Sequence, residues 1–246
     1  MIVKSEKERD GMRAASRVVK AALEAAGKFI KPGVTTLEID AVVEEVIRSF
    51  GATPSSKGFE GYPNASCISV NDVVVHGIPS LATVKDGDIV SVDITALLNG
   101  YQGDAARTFA VGNVKADDLA LIDAAEKAFF AGLEYAKAGN RVGDISSAVQ
   151  LYTELHGYGV VRALTGHGIG HEMHEPPEVP NFGKRGTGAP LRNGLCICIE
   201  PMITRGDWRV YVERDKWTVR TKDKSNAAHY ENTVIITDGE PEILTL

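Results

Sequence analysis

Five side chains of metal-ligand type, Asp93, Asp104, His167, Glu200 and Glu231, stand at positions that read as strands and turns. Asp93 closes the apolar run Asp88-Ile-Val-Ser-Val-Asp93, and Glu200 closes a similar one, Leu195-Cys-Ile-Cys-Ile-Glu200. Each run has a glycine six residues before its carboxylate, Gly87 and Gly194. Burying a lone carboxylate in so apolar a stretch is expensive. Two in matching contexts need a shared counter-charge, which a divalent cation supplies. Four carboxylates with one histidine form a hard, oxygen-rich donor set. It suits Mn²⁺, Fe²⁺ or Co²⁺ better than a purely structural zinc. Two such ions about 3.5–4 Å apart would activate a water at neutral pH and clamp a tetrahedral intermediate. Hydrolysis of an amide is the reaction that fits. Any one of these acids alone reads more simply as a hairpin or surface charge, but the five together do not.

The remaining histidines and the cysteines are weighed separately. Thr165-Gly-His167-Gly-Ile-Gly-His171-Glu-Met-His174 resembles a helical zinc motif only in spacing, because Gly168 and Gly170 disfavour a helix. A glycine-flanked His167 fits a place where backbone passes close to a metal or substrate. His174 could hydrogen-bond a substrate or intermediate, against the plainer reading of a loop histidine. His76 follows the β-branched run Val73-Val-Val75 and is a second candidate acid or base. His156 reads as a cation at a helix C-terminus, while His171 and His229 stay unassigned. Cys196 and Cys198 alternate with Ile197 and Ile199, so they share the Glu200 face of a strand. They have no second Cys or His pair at finger spacing, so no structural zinc is expected.

These residues need elements to hold them. Ser5-Glu-Lys-Glu8 and Thr35-Thr-Leu-Glu38 are capping boxes opening two helices. The first turns Met12, Ala15, Val19, Leu23 and Ala26 inward. The second turns Ile39, Val42, Val43, Val46, Ile47 and Phe50 inward and stops at Gly51. Residues 117–136 and 144–156 form a second helical pair. Strands are expected at Cys67–Val70, Ile89–Leu98, Arg107–Val111, Leu195–Glu200, Trp217–Thr221 and Asn232–Thr237. Asn99-Gly100 is a two-residue hairpin signal that brings Asp104 back towards Asp93. Lys31-Pro-Gly33 aligns with Lys137-Ala-Gly139, and Gly51 with Gly157, at an offset of 106 residues. Gly87 and Gly194, and Asp93 and Glu200, follow at 107. We read one domain, 1–246, with an internal α-then-β repeat of approximately 1–115 and 116–246.

The 246 residues suffice for a substantial core, and 43% hydrophobic with 24% charged is ordinary for a soluble domain. A net charge of −6 argues against nucleic acid or an anionic membrane as partner. No apolar run approaches the roughly 18 residues of a membrane span. The first ten residues offer no signal-peptide core, and three cysteines make no disulfide framework. A cytoplasmic location is expected.

The motifs Asn71-Asp-Val-Val-Val-His-Gly-Ile-Pro79, Asp88-Ile-Val-Ser-Val-Asp-Ile94, Gly103-Asp104, Gly166-His-Gly-Ile-Gly170, His174-Glu-Pro-Pro177, Ile199-Glu-Pro-Met202 and Tyr230-Glu-Asn-Thr233 resemble type I methionine aminopeptidases across the whole chain. The resemblance implies an α/β (α+β) pita-bread fold, two pseudo-twofold-related halves around a curved antiparallel sheet. It implies two divalent metal ions (Co, Mn, Fe(II) or Zn). Asp93 would chelate one, Asp104 and Glu231 would bridge both, and His167 and Glu200 would complete the other. His76, His174 and Glu200 would be catalytic. A methionine pocket would be walled by Phe59, Tyr62, Cys67 and Trp217, with His76 at its edge. The substrates implied are nascent polypeptides with N-terminal methionine and a small second residue, near the ribosome. A monomer with no nucleic-acid or membrane contact is expected. The chain lacks the N-terminal zinc extension and the helical insertion of other forms, so it resembles the short bacterial form. His171 and Met173 depart from the family pattern, which expects Arg and then an aromatic there. Alternatives are an X-Pro aminopeptidase or dipeptidase of the same fold, a metal-free binding module, or an unrelated metal-storage or purely structural carboxylate site.

Overall fold

A computed structural model of the chain describes residues 1–246. Two capped helices open it, α1 (Glu6–Phe29) and α2 (Thr36–Ser49), each with its capping box closed in both directions. Then come β1 (Thr53–Pro54), a 3₁₀ turn (Phe59–Gly61), β2 (Cys67–Val70), β3 (Val73–Val75), β4 (Ile89–Leu98) and β5 (Tyr101–Ala110). The second half also begins with two helices, α3 (Ala116–Leu133) and α4 (Val142–Leu155). Short strands follow: β6 (Gly159–Val160), β7 (Thr165–Gly168), β8 (Glu175–Pro180), β9 (Cys196–Ile199), β10 (Met202–Thr204) and β11 (Val210–Val212). The last are β12 (Val219–Thr221), β13 (Ala227–His229), β14 (Asn232–Ile235) and β15 (Glu242–Ile243). No helix is long and apolar enough to cross a membrane.

The pairing is antiparallel in every ladder between these strands. One sheet runs β1-β4-β2 with β5 on β4, and another runs β15-β14-β9-β7-β8. Each carries a helical pair on its outer face. Val19, Ile39, Ile47, Val92 and Ile94 meet in the core of the first half. Phe129, Ile145, Val149, Ile197 and Val234 meet in the core of the second. The halves meet where β5 lies against β13 and β14.

The helices close to where their caps and glycines place them, and Gly51 and Gly157 take φ of 71° and 81°. Phe50 departs from its inward assignment. It caps α2 after the last helical turn and is 50% exposed, because the helical stripe ends at Ile47. The second long strand starts at Tyr101, well before the expected Arg107, since a two-residue turn lets pairing begin at once.

Gly103 shows how tightly α1 lies on β5. A Cβ there would stand 2.7 Å from the Ser16 nitrogen and 2.8 Å from the Ala15 carbonyl carbon. Both are helix backbone and cannot turn aside. Gly103→Ala should cost about 1–3 kcal/mol, the usual penalty of overpacking. Urea unfolding checks this through a lower midpoint at unchanged slope.

Candidate metal centre

Each metal-type side chain is aimed by a strand whose other face is core. On β4, Val90, Val92 and Ile94 enter the core of the first half, so Asp93 and Thr95 point the opposite way. β5 returns through Asn99-Gly100, both at positive φ (51° and 83°), as a tight hairpin requires. Leu98 faces Tyr101 there, which sets Thr95 opposite Asp104 and Asp93 opposite Ala106. The two aspartates are therefore diagonal neighbours on one face. On β9, Ile197 and Ile199 enter the other core, so Cys198 turns inward, and Glu200, just past the strand, lines the cavity. Glu231 leads into β14, held by its own N–H donating to the Ala106 carbonyl at 3.0 Å. Thr233 ties the halves together. It donates to the Asp104 carbonyl at 2.8 Å and accepts from the Asp104 N–H at 3.0 Å.

His167 sits on β7, between β8 and β9. A side chain on Gly166 would strike the Cys198 carbonyl, and one on Gly168 the Pro176 carbonyl. The His167 Nδ1 is 2.9 Å from the Gly168 carbonyl oxygen, which can only accept, so Nδ1 carries the proton. Nε2 then offers a lone pair to the cluster, 3.5 Å from Glu200 Oε1 and 3.7 Å from Asp104 Oδ2. Burial, with His174 adding to it, lowers its pKa to about 4, so the ring is neutral near pH 7.

The electrostatics ask for a cation. Burial pushes Asp93 up to about 7. Burial first, then repulsion among the acids, raises Asp104, Glu200 and Glu231 well above the carboxylate range. No lysine or arginine lines the cavity. Arg107 is nearby, but it donates to the main-chain oxygen of Glu231 and, at 2.6 Å, to Asn232 Oδ1, not to the Glu231 carboxylate. Asp104 Oδ1 and Glu231 Oε1 are buried without a hydrogen-bond partner. Donor atoms of Asp104, His167, Cys198 and Glu231 lie within 4.8 Å of one another. Such orphaned oxygens beside a free imidazole lone pair fit a hard divalent ion.

One cavity of about 720 Å³ holds the cluster and every other site residue expected from the sequence. Tyr62 is buried, its O–H 3.0 Å from the Gly77 carbonyl, with its ring edge-on to Trp217 at 5.1 Å between centroids. Cys67 is buried opposite Asp93 in the β2–β4 ladder. His76 takes a left-handed φ of 57° and sits edge-on to Trp217 at 6.3 Å. Burial, with His174 second, lowers its pKa to about 4. His174 stands at the exposed rim, its ring 4.4 Å from His167 and 5.4 Å from Phe59. Partial burial lowers its pKa as well.

The two departures separate in space. His171 points out of the cavity and bonds the Gly100 carbonyl through Nδ1 at 2.7 Å, while Met173 is buried in the cavity wall. Met202 lines it too, without any sequence signal beyond its place after Glu200-Pro201. His229, unassigned from sequence, is fully buried against Glu200 and Glu231. Cys198, taken as a plain strand residue, faces the cluster. Its alternation with Ile197 and Ile199 put it on that face, and only the fold shows what lies opposite.

The profile of Metallopeptidase family M24 matches residues 10–238. The chain belongs to metallopeptidase family M24. Within the M24 metallopeptidases it groups with the methionine aminopeptidases. It is 51% identical to the methionine aminopeptidase of Clostridium acetobutylicum, over 100% of this chain and 99% of that one. The crystal structure of methionine aminopeptidase from Rickettsia prowazekii superposes with a TM-score of 0.98 at 40% identity, over 100% of both chains. The fold is thus the pita-bread fold that the motifs imply. The prolidase from Pyrococcus furiosus shares the fold at a TM-score of 0.79 and 26% identity, but this chain covers only 65% of it.

Proposed function

We propose that this M24 metallopeptidase removes N-terminal methionine from peptides and nascent proteins, favouring a small second residue. The observation that carries this reading is one cavity that sets a buried carboxylate–histidine cluster beside an apolar pocket of aromatic and sulfur side chains. Identity of 51% to a methionine aminopeptidase, against 26% to a prolidase, supports it over an X-Pro enzyme. Asp93, Asp104, His167, Glu200 and Glu231 would hold the divalent ions, whether Co, Mn, Fe(II) or Zn. A divalent ion bound there supplies Lewis acidity, polarising a carbonyl and making water nucleophilic at neutral pH.

The chain's own residues do the rest. Glu200, whose Oε1 lies 3.5 Å from His167 Nε2 in the cluster, takes the proton of the attacking water and passes it to the leaving amine. His174 and His76 are neutral, so each donates an N–H to the peptide or to the intermediate rather than adding charge. Tyr62, Trp217, Cys67 and Phe59 hold the methionine side chain, where sulfur–aromatic contacts are worth about 0.3–1.5 kcal/mol each. The protein acts in the cytoplasm, as a monomer, on chains emerging near the ribosome, and its catalytic domain comprises two related halves.

The test is substrate choice. Protein loaded with Mn²⁺ or Co²⁺ should release methionine from Met-Ala-Ser and leave Met-Lys-Ser nearly untouched. Cleavage of X-Pro peptides with Met-Ala-Ser ignored would overturn the assignment.

A further inference from the structure

His229 ends β13 with its ring turned into the cluster. It is 1% exposed, and neither ring nitrogen has a hydrogen-bond partner. A buried polar group left so is costly, and most such groups have partners. Its backbone is fixed. The His229 N–H donates to Thr108 Oγ1 at 2.9 Å, and the Thr108 O–H donates to the His229 carbonyl at 2.9 Å. The buried ring sets Nε2 3.8 Å from Glu200 Oε2 and 3.9 Å from Glu231 Oε2.

The two carboxylates differ in what already holds them. Glu231 is held at both its main-chain groups: its N–H donates to the Ala106 carbonyl at 3.0 Å, and its carbonyl accepts from Arg107. Glu200 receives a bond only on its main-chain oxygen, from Asn181 at 2.9 Å. His167 faces its Oε1, which leaves Oε2 to His229. We propose that His229 is a positioning residue for Glu200. Its Nε2–H donates to Oε2, fixes the carboxylate rotamer, and leaves Oε1 on the side of His167. Closing the gap takes a movement of about 1 Å to reach hydrogen-bond distance. The proposal rests on the reading of Glu200 as metal ligand and proton carrier.

The experiment compares His229→Gln, which keeps an N–H donor, with His229→Leu, which does not, each alone and with Glu200→Gln. Loss of an outer hydrogen bond to a ligand typically costs about 10–100-fold in metal affinity or activity. His229→Leu should lower kcat by about that factor with KM near the parent value. Its Co²⁺ affinity, read from cobalt's visible absorption against a competing chelator, should fall about 10-fold. His229→Gln should restore both. Combined with Glu200→Gln, the leucine should add no further loss. If leucine prevents folding, His229→Met against His229→Gln makes the same comparison with unbranched chains. Parent-like kcat and affinity in the leucine variant would overturn the proposal alone. So would glutamine that is no better than leucine, or glutamine that abolishes metal binding. Full turnover in Glu200→Gln itself would overturn the reading of Glu200, and the proposal with it.

Discussion

His174→Ala is expected to lose turnover and keep its metal, whereas His167→Ala loses the metal itself. The two rings are in contact at 4.4 Å between centroids, so proximity does not distinguish them. Orientation does. His167 spends its Nδ1–H on the Gly168 carbonyl and points a lone pair at Glu200 and Asp104. His174 leans on Phe59 at the rim, where a bound peptide would pass. A positioned donor or acid–base group is worth about 10²–10⁴ in rate, so kcat of His174→Ala should fall within that range. His76→Ala should lower kcat/KM, since His76 sits edge-on to Trp217 in the cavity that holds the cluster. Metal stoichiometry beside single-turnover kinetics decides. Metal lost from His174→Ala but retained by His167→Ala would mean that the roles are reversed.

Removing the metal is expected to destabilise the protein most at neutral and alkaline pH. Without a cation the buried acids must share protons, and Asp93 rises to about 7 from its ordinary 3.8. The raised pKa sets the sign. Between roughly pH 4 and 7 the folded metal-free protein keeps a proton that the unfolded chain has released. Its stability is therefore greatest at low pH and falls as pH rises through that window. Asp104, Glu200 and Glu231 shift in the same direction. A ligand at 100 times its Kd adds about 2.7 kcal/mol, or about 5–10 °C in Tm for a chain of this size. Thermal melts of chelated and Mn²⁺-loaded protein at pH 5.5 and 7.5 should show the gap widening at the higher pH. Coincident melts, with metal content verified, would remove the basis for a cation-balanced cluster.

The β4–β5 hairpin was legible because two local signals agree: the apolar run closed by Asp93 and the Asn99-Gly100 turn. Glu200 was legible by analogy with that run. The partnership of the halves was not. Thr233 meets Asp104, and Glu231 meets Ala106, only through backbone geometry between distant segments. The three-residue strands β10 and β13 carry too few residues to show a period, so the position of His229 had no local signal. His171 and Met173 sit two residues apart and part company because one finds a carbonyl in the β4–β5 turn. Phe50 misled because its apolar character fits the helical period, and only the end of α2 decides that it is left outside.

The most direct measurement is anomalous diffraction from crystals grown with Mn²⁺ or Co²⁺, collected on both sides of the metal edge. Two peaks about 3.5–4 Å apart are expected, the separation typical of paired catalytic ions. One should touch Asp93, the other His167 Nε2 and Glu200, with Asp104 and Glu231 between them. No peak in this cavity, or a peak held by other side chains, would contradict a dinuclear centre built from these five residues.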